Sequence, residues 1–498
     1  MTDVLLTHSY HLPYDRKQVR KMQPYLPLGT LYAAAVLRDQ GISVAVFDTM
    51  LSDPICGFSD ALKRHNPNLV AIYEDDFNFL SKMCLTRMRE LAWWMIDTAR
   101  HYGATVIVHG SDATDHAEEY LQHGAKYVLV GEAERTLGDL CGNLLRGDDP
   151  GSIEGLISFD SNGNASRRTS LPLRRTSWTD LPSPARDLID TAPYRGAWTK
   201  AHGFFSMNVV ASRGCPYRCN WCAKPISGDR FHVRPAEAVA EEILELKEKY
   251  DAEHVWFGDD VFALNHHWAG QFADEVEKRG CVLPFKIQSR ADLMTEETVQ
   301  ALKRAGCAEV WMGVESGSQK ILDAMDKGLR VSEVVDARMR LKQAGIHACY
   351  FLQFGYPGES WKDIQQTVSL VRLTRPHDVG VSVSYPLPNT RFYEKVQAEL
   401  GHKRNWTDSD DLCVMFTAEY KDVFYHAIRD ALHAEVDSWR IATARERVSS
   451  LWMRVSELER VSRNASPTRF QDDAPERRKK ESSQFLPLGQ IASTGREA

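Results

Sequence analysis

Cys215, Cys219 and Cys222 stand within eight residues of one another, in Ser212-Arg213-Gly214-Cys215-Pro216-Tyr217-Arg218-Cys219-Asn220-Trp221-Cys222. The other seven of the ten cysteines are scattered singly. Single buried cysteines behave as small hydrophobes, so metal chemistry is expected of the cluster. Three thiolates at CxxxCxxC spacing cannot share one helix face, but a loop can turn all three toward one metal centre. Thiolates suit zinc and iron–sulfur clusters. A structural zinc site wants four ligands, commonly as two close pairs. No second pair occurs, and the nearest downstream histidine is His232. Iron–sulfur clusters ordinarily take four cysteines, so three leave one iron open to bind something else.

A loop of this kind needs a frame. From Ser206 to about Leu387 the sequence reads as six strand–helix units, with strands near 206–212, 254–258, 285–290, 309–315, 347–355 and 378–385. Pro235 suits a first helical position, and Val239, Ile243, Leu246 and Tyr250 follow at helical spacing. Gly306 and Gly345 each close a helix after Lys-x-Ala. Repeated units of this regularity predict a barrel or part of one, with chemistry at the carboxyl ends of its strands. The cysteines follow the first of those strands.

Residues 1–145 also alternate strand and helix. Val4–Thr7, Ile42–Phe47, Leu69–Tyr73, Thr105–His109 and Tyr127–Val130 read as strands, Leu28–Gln40 as a helix, and Phe79 to His101 as an amphipathic stretch. This pattern predicts a parallel, doubly wound α/β sheet. Residues 146–200 are rich in Gly, Asp, Ser, Arg and Pro and read as a linker. It carries a hairpin around Ser161-Asn162-Gly163-Asn164. Residues 400–462 read as helical, with Phe424, Ile428, Leu432 and Val436 forming one apolar stripe. Residues 463–498 read as a disordered tail whose basic run, Arg477 to Lys480, is solvated.

Bulk properties narrow the function classes. The 498 residues are 43% hydrophobic and 26% charged, with a net charge of −7. That is globular composition, and nothing in the charge points to a nucleic-acid partner. No apolar run approaches the roughly 18 residues of a membrane span. The start, Met1 to Asp15, lacks a signal-peptide pattern, so a cytoplasmic location is expected.

With Trp221 before its last cysteine, the loop resembles that of the radical S-adenosylmethionine superfamily, and the resemblance runs across the whole expected barrel. It implies a 4Fe–4S cluster on Cys215, Cys219 and Cys222. The open iron would be chelated by the amino and carboxylate groups of S-adenosylmethionine. It also implies an electron donor of the flavodoxin or ferredoxin type and a small-molecule substrate. Phe257-Gly258-Asp259-Asp260 resembles the position that holds the methionine ammonium, with the choice between Asp259 and Asp260 open. Gln288-Ser289-Arg290 resembles the segment near the methionine carboxylate and ribose, where an arginine can pair bidentately. Glu315, in Gly313-Val314-Glu315-Ser316-Gly317, resembles the ribose and methionine contact. Gly355-Tyr356-Pro357-Gly358-Glu359 resembles a turn shared in one branch, and by itself reads simply as a turn.

That branch places a cobalamin-binding domain before the barrel. Residues 1–145 resemble it through Pro27-Leu28-Gly29-Thr30-Leu31-Tyr32, Val46-Phe47-Asp48 and Val130-Gly131-Glu132-Ala133-Glu134. The resemblance implies cofactor contacts from Leu28, Gly29, Gly110, Ser111, Gly131 and Glu132. Two departures stand out. No Asp-x-His-x-x-Gly motif supplies a histidine to cobalt, and His109-Gly110-Ser111 replaces the usual Gly-Gly-Pro. Glu74-Asp75-Asp76 follows the third strand and reads either as a cap for a helix starting near Asn78 or as a partner site. The alternative for the whole domain is a fold that has lost cobalamin and only supports the barrel.

The expected architecture is therefore a doubly wound cobalamin-binding-like domain, a partial (β/α)6 barrel at 201–395, C-terminal helices and a tail. The expected activity is cobalamin-dependent methylation of carbon through a 5′-deoxyadenosyl radical. An oxidative cyclase or rearrangement enzyme of the same branch is the second reading. A non-catalytic cobalamin or redox sensor is the third, and the strand-end residues argue against it.

Overall fold

The computed structural model describes residues 2–160, 163–167, 181–441 and 445–463. The tail expected from 463 onward lies almost wholly outside them. So do the tip residues Ser161 and Asn162 of the hairpin and positions 168–180 of the linker.

The first sheet has seven strands in the order β2-β1-β3-β4-β5-β6-β7. Five are parallel: β1 (Val4–Thr7), β2 (Val44–Phe47), β3 (Leu69–Tyr73), β4 (Thr105–His109) and β5 (Tyr127–Leu129). The order reverses between β1 and β3, which sets a crevice at their carboxyl ends. β1, β3 and β5 are buried throughout, as a sheet covered by helices on both faces requires. β6 (Leu156–Phe159) and β7 (Ala165–Arg167) continue the sheet antiparallel. The hairpin expected on a linker is thus the edge of the sheet. Leu156 and Ile157 are buried against β5, which removes them from water.

The second sheet runs β15-β14-β13-β12-β11-β8, all parallel. The strands are β8 (Ser206–Val209), β11 (His254–Phe257), β12 (Phe285–Ser289), β13 (Cys307–Glu315), β14 (His347–Phe354) and β15 (Asp378–Val383). Sequential winding with free edges on β8 and β15 is the open (β/α)6 barrel the spacing predicts. Gly306 (φ 97°) and Gly345 (φ 77°) close their helices in the left-handed conformation, as expected. The first strand is shorter than its expected range. It stops at Val209, and β9 (Ser212–Arg213) leaves the sheet to pair antiparallel with β10 (His232–Val233).

One feature had no local sequence signal. Residues 10–26, which follow β1 in the first sheet's unit, lie across the inner face of the barrel. Asn208 and Leu26 exchange two hydrogen bonds, at 3.1 and 2.7 Å. Lys286 donates to Gln23 at 2.8 Å, and the Trp198 indole donates to the Pro24 carbonyl at 2.7 Å. Tyr10, Leu12, Tyr25 and Leu26 belong to the same buried core as the barrel strands.

The segment after the barrel differs from the expectation. Helices span Asp422–Ser438 and Arg445–Arg463, and the stripe Phe424, Ile428, Leu432, Val436 is buried. Residues 400–421 are not helical. Their aspartates accept local backbone hydrogen bonds instead: Asp408 from Asp410, and Asp411 from Thr407. Phe79–His101 likewise divides into Phe79–Lys82 and Thr86–His101, with Cys84 between them at φ 53°.

Candidate active site

The cysteine loop is closed at its base by the β9–β10 ladder. Gly214 makes the first turn at φ 79°, and a Cβ there would run into the Arg230 carbonyl. Asn220 fixes the middle. Its amide N–H donates to Met325 O at 3.0 Å, and its side-chain nitrogen donates to Ala324 O at 2.8 Å and Asp326 Oδ2 at 2.9 Å. The Tyr356 hydroxyl sits 3.0 Å from Asn220 Oδ1. The Gly355–Gly358 turn thus anchors the cysteine loop. Lys224 donates to the carbonyls of Cys215 and Tyr217, at 2.9 and 2.6 Å.

Gly214→Ala is expected to lower iron bound per chain severalfold after reconstitution. The αL penalty of about 1–2 kcal/mol is joined there by a backbone clash. Gly228, in the same loop at φ 61°, has open space around it. Gly228→Ala should load nearly normally. Equal loading of both variants would refute this account of Gly214.

Cys215, Cys219 and Cys222 are half-buried and line one cavity of about 390 Å³. Burial raises the Cys215 thiol, and burial with nearby Asp260 pushes Cys222 up to about 12. The bare Cys215 and Cys222 thiols therefore hold their protons at neutral pH, and a metal centre would displace them. Among the described residues no three His, Cys, Asp or Glu side chains gather around a single ion's position. A multi-iron cluster instead spreads its thiolates over separate irons, which the three cysteines on one cavity wall fit.

Further strand ends reach the same cavity. Gly258, Asp260, Ser289, Arg290 and Glu315 all line it. Asp259 does not. It is 2% exposed and turned inward, accepting hydrogen bonds from Ala211 N and the Ser212 hydroxyl. Of the two aspartates the sequence left open, only Asp260 lines the cavity. Asp260 pairs with Lys82 at 2.5 Å. Burial acts to lower the Lys82 pKa, and Asp260 more than reverses it. Arg290 is already engaged: it pairs with Asp292 at 2.9 Å and donates to the Lys327 and Gly328 carbonyls. Its guanidinium lies 3.8 Å from the centroid of Tyr217, within the cysteine loop. The expected free bidentate fork is therefore absent. The nearby cation is Lys327, buried and paired with Glu315 at 2.8 Å. Lys327 and Lys82 were missed in the sequence because their partners are distant and burial has no local signature.

The first sheet supplies the opposite wall. Gly29, Asp76, Ser111 and Glu132 line the cavity. Gly29 is constrained: its N–H donates to Asp75 at 3.0 Å, and a Cβ would lie 3.0 Å from the Glu74 carbonyl. Glu132 accepts from Ser227 at 2.9 Å, tying this wall to the cysteine loop. Leu28, Gly110 and Gly131 stand behind the wall. Leu28 packs on Tyr32, Phe77 and Val210; Gly110 at φ 142° abuts the Glu74 side chain; the Gly131 carbonyl accepts from His109 at 2.9 Å. The acidic run does not cap the helix after it, because Asn78 caps it with its own side chain. Asp75 accepts from Gly29 and Phe77, and Glu74 accepts from Ser9. Burial raises all three carboxyls, Asp75 to about 6. Glu74 Oε2, Asp75 Oδ2, Asp76 Oδ1 and Ser111 Oγ are buried and find no hydrogen-bond partner among the described residues.

Comparison with known proteins adds an independent line. The family model described as the radical SAM superfamily matches residues 209–371. An uncharacterised methyltransferase of Pyrococcus horikoshii is 27% identical over 376 residues, 74% of this chain and 78% of that protein. The fold is shared with TsrM, a radical S-adenosylmethionine methyltransferase from Kitasatospora setae solved with cobalamin and a [4Fe–4S] cluster. Its TM-score is 0.67 at 19% identity, covering 80% of this chain and 75% of that one. It is also shared with OxsB, a cobalamin-dependent S-adenosylmethionine radical enzyme. There the TM-score is 0.69 at 16% identity, covering 93% of this chain and 72% of that one. Membership of the matched family carries with it a 4Fe–4S cluster and S-adenosylmethionine as working cofactors. The match begins at the end of the first barrel strand and encloses the cysteine loop and the strand ends facing it, so residues 209–371, where the site lies, are those of a radical S-adenosylmethionine enzyme.

Proposed function

We propose that the chain is a cobalamin-dependent radical enzyme that methylates carbon. One observation carries this reading: a single cavity joins the cysteine loop to the carboxyl-end crevice of the first sheet. The crevice offers an unpartnered acceptor, Asp76 Oδ1, and the Ser111 hydroxyl, which suit the primary amides rimming a corrin ring. Bound together, the cluster and S-adenosylmethionine supply a 5′-deoxyadenosyl radical, and cobalamin supplies the methyl group.

The chain's own residues have distinct tasks in this reading. Cys215, Cys219 and Cys222 hold the cluster. Asp260 offers a carboxylate to the methionine ammonium, once Lys82 gives it up. Glu315 accepts from ribose hydroxyls, and Lys327 keeps it oriented. Arg290 and Tyr217 hold the loop against the third barrel strand. Phe77, Phe79 and Met83 line the passage between the walls and keep water out.

Reconstitution with iron, sulfide and hydroxocobalamin under anaerobic conditions tests the reading without a known substrate. Dithionite and methyl-labelled S-adenosylmethionine are then added. The expected products are 5′-deoxyadenosine and label recovered with the cobalamin fraction. Deoxyadenosine without labelled cobalamin would favour the cyclase or rearrangement reading. Absence of both, with the cluster verified, would remove the proposal.

A further inference from the structure

The same cavity is also lined by Lys17, Gln18 and Lys21 of the helix Arg16–Lys21. Charge accounting singles it out. Five other cations line the cavity, and each has a carboxylate partner: Lys82 with Asp260, Arg213 with Glu134, Lys224 with Asp229, Arg290 with Asp292, and Lys327 with Glu315. Lys17 and Lys21 also line it. Among the described residues neither has a carboxylate within ion-pair distance. The carboxylates that feel their charges lie beyond pairing distance and hold other partners: Asp15 accepts from Ser409 and Gln18, Asp410 pairs with Arg20 and Arg429, and Asp378 accepts from the Val379 N–H.

Lys17 and Lys21 are four residues apart on one helix, so they share a face and repel each other. Lys17 is half-buried, and Lys21 is exposed. Burial, then the Lys21 charge, lowers Lys17 to about 8, so it still carries its proton at neutral pH. An anion between the two ammonium groups would relieve the repulsion and fill the missing partner.

The surroundings suit a flat apolar body. Phe351 lies on the inner face between Gly313 and Gly380, its register partners on the two neighbouring strands. Neither neighbour puts a side chain over the ring. Phe351 stacks on Trp311 with centroids 4.9 Å apart, and Lys21 Nζ lies 5.6 Å from the Trp311 centroid. On the other side Trp406 stacks on Tyr385 at 4.2 Å. Gln18 donates to Ser409 at 3.2 Å, which fixes the helix against that aromatic pair.

We propose that the substrate carries a flat apolar body and an anionic group, carboxylate or phosphate, which docks between Lys17 and Lys21 with the body toward Phe351 and Trp406. The proposal rests on the enzyme reading above and names its substrate class. Matched aromatic probes test it on the reconstituted holoenzyme: anionic 8-anilinonaphthalene-1-sulfonate and neutral N-phenyl-1-naphthylamine. In the double variant Lys17→Gln/Lys21→Gln the anionic probe should lose at least about tenfold in affinity, and the neutral probe should stay within about twofold. Lys17→Arg/Lys21→Arg should keep the anionic probe within about twofold, which separates charge from misfolding. Displacement of the anionic probe by phenylacetate marks a carboxylate site, and by phenyl phosphate a phosphate site. Displacement by neither, an unchanged anionic probe in the Gln variant, or equal losses of both probes would overturn the proposal. Probe binding needs no turnover. If wild type makes no 5′-deoxyadenosine, that bears on the enzyme reading and leaves the docking measurement intact.

Discussion

Cys219→Ala is expected to yield a folded protein that takes up no stable four-iron cluster. Its formation of 5′-deoxyadenosine should fall by at least about three orders of magnitude, the scale of losing a group from a catalytic unit. The backbone argument comes first. Neighbouring Asn220, not Cys219, ties the loop to Met325, Ala324 and Tyr356, so removing the thiol leaves the loop seated. The chemical argument is that two thiolates cannot hold a cluster for which the loop supplies three. Iron analysis, absorption near the charge-transfer band and circular dichroism together read the result. Cys56→Ala, at an exposed position far along the chain, is the matched control and should load fully. A Cys219→Ala protein with a full complement of iron and undiminished cleavage would sink the assignment.

The second large effect is on stability. Glu242 lies between two arginines, at 2.5 Å from Arg186 and in a short contact with Arg234, all three side chains at most 10% exposed. Arg186 lies in the linker, Arg234 precedes the first barrel helix, and both also donate to carbonyls of the first barrel strand and its end, Asn208 and Val210. Glu242→Gln removes the carboxylate that two buried arginines share. Breaking such a pair costs about 3–5 kcal/mol, so the urea midpoint should drop markedly. The pH dependence has a definite sign. Burial would raise the Glu242 carboxyl, but Arg234 and Arg186 outweigh it and hold it low. Its contribution is thus complete above the unfolded pKa of about 4.3 and is lost as pH falls through the lower folded value. Wild type should lose more stability than Glu242→Gln across that acid window. A variant within about 1 kcal/mol of wild type at pH 7, below the loss such a pair implies, would show that the arginines find other partners.

Sequence and structure agree best where the physics is local. Val4–Thr7, Leu69–Tyr73 and Thr105–His109 are short apolar runs between polar stretches, and their bounds coincide with the strands. Gly306 and Gly345 mark helix ends because the left-handed turn there favours glycine. The three cysteines were legible because their spacing carries the chemistry. Asp259 against Asp260 was not: adjacent residues at a strand end point opposite ways, and only the register says which way is inward. The same holds for Arg290. Its side chain is the right type for a carboxylate, but Asp292, two residues on, takes the fork. Lys82 meets Asp260 from 178 residues away, and nothing in either neighbourhood announces the other. Residues 400–421 misled for a different reason. Asp408 and Asp411 offer side-chain acceptors that compete with helical hydrogen bonding, and hydrophobic spacing does not count them.

The segment that crosses the barrel bears on how the chain is made. Residues 10–26 leave the ribosome early, but their partners, from Trp198 to Lys286 and on to Ser409, are synthesised much later. The first sheet can close around β1 while this stretch still waits for its groove. Pairing over such separations is slow, so Tyr10, Leu12, Tyr25 and Leu26 spend that interval uncovered, a period in which aggregation competes with folding. The barrel in turn completes its inner face only when this earlier stretch packs across it. A barrel expressed without residues 10–26 would therefore lack part of its own interior.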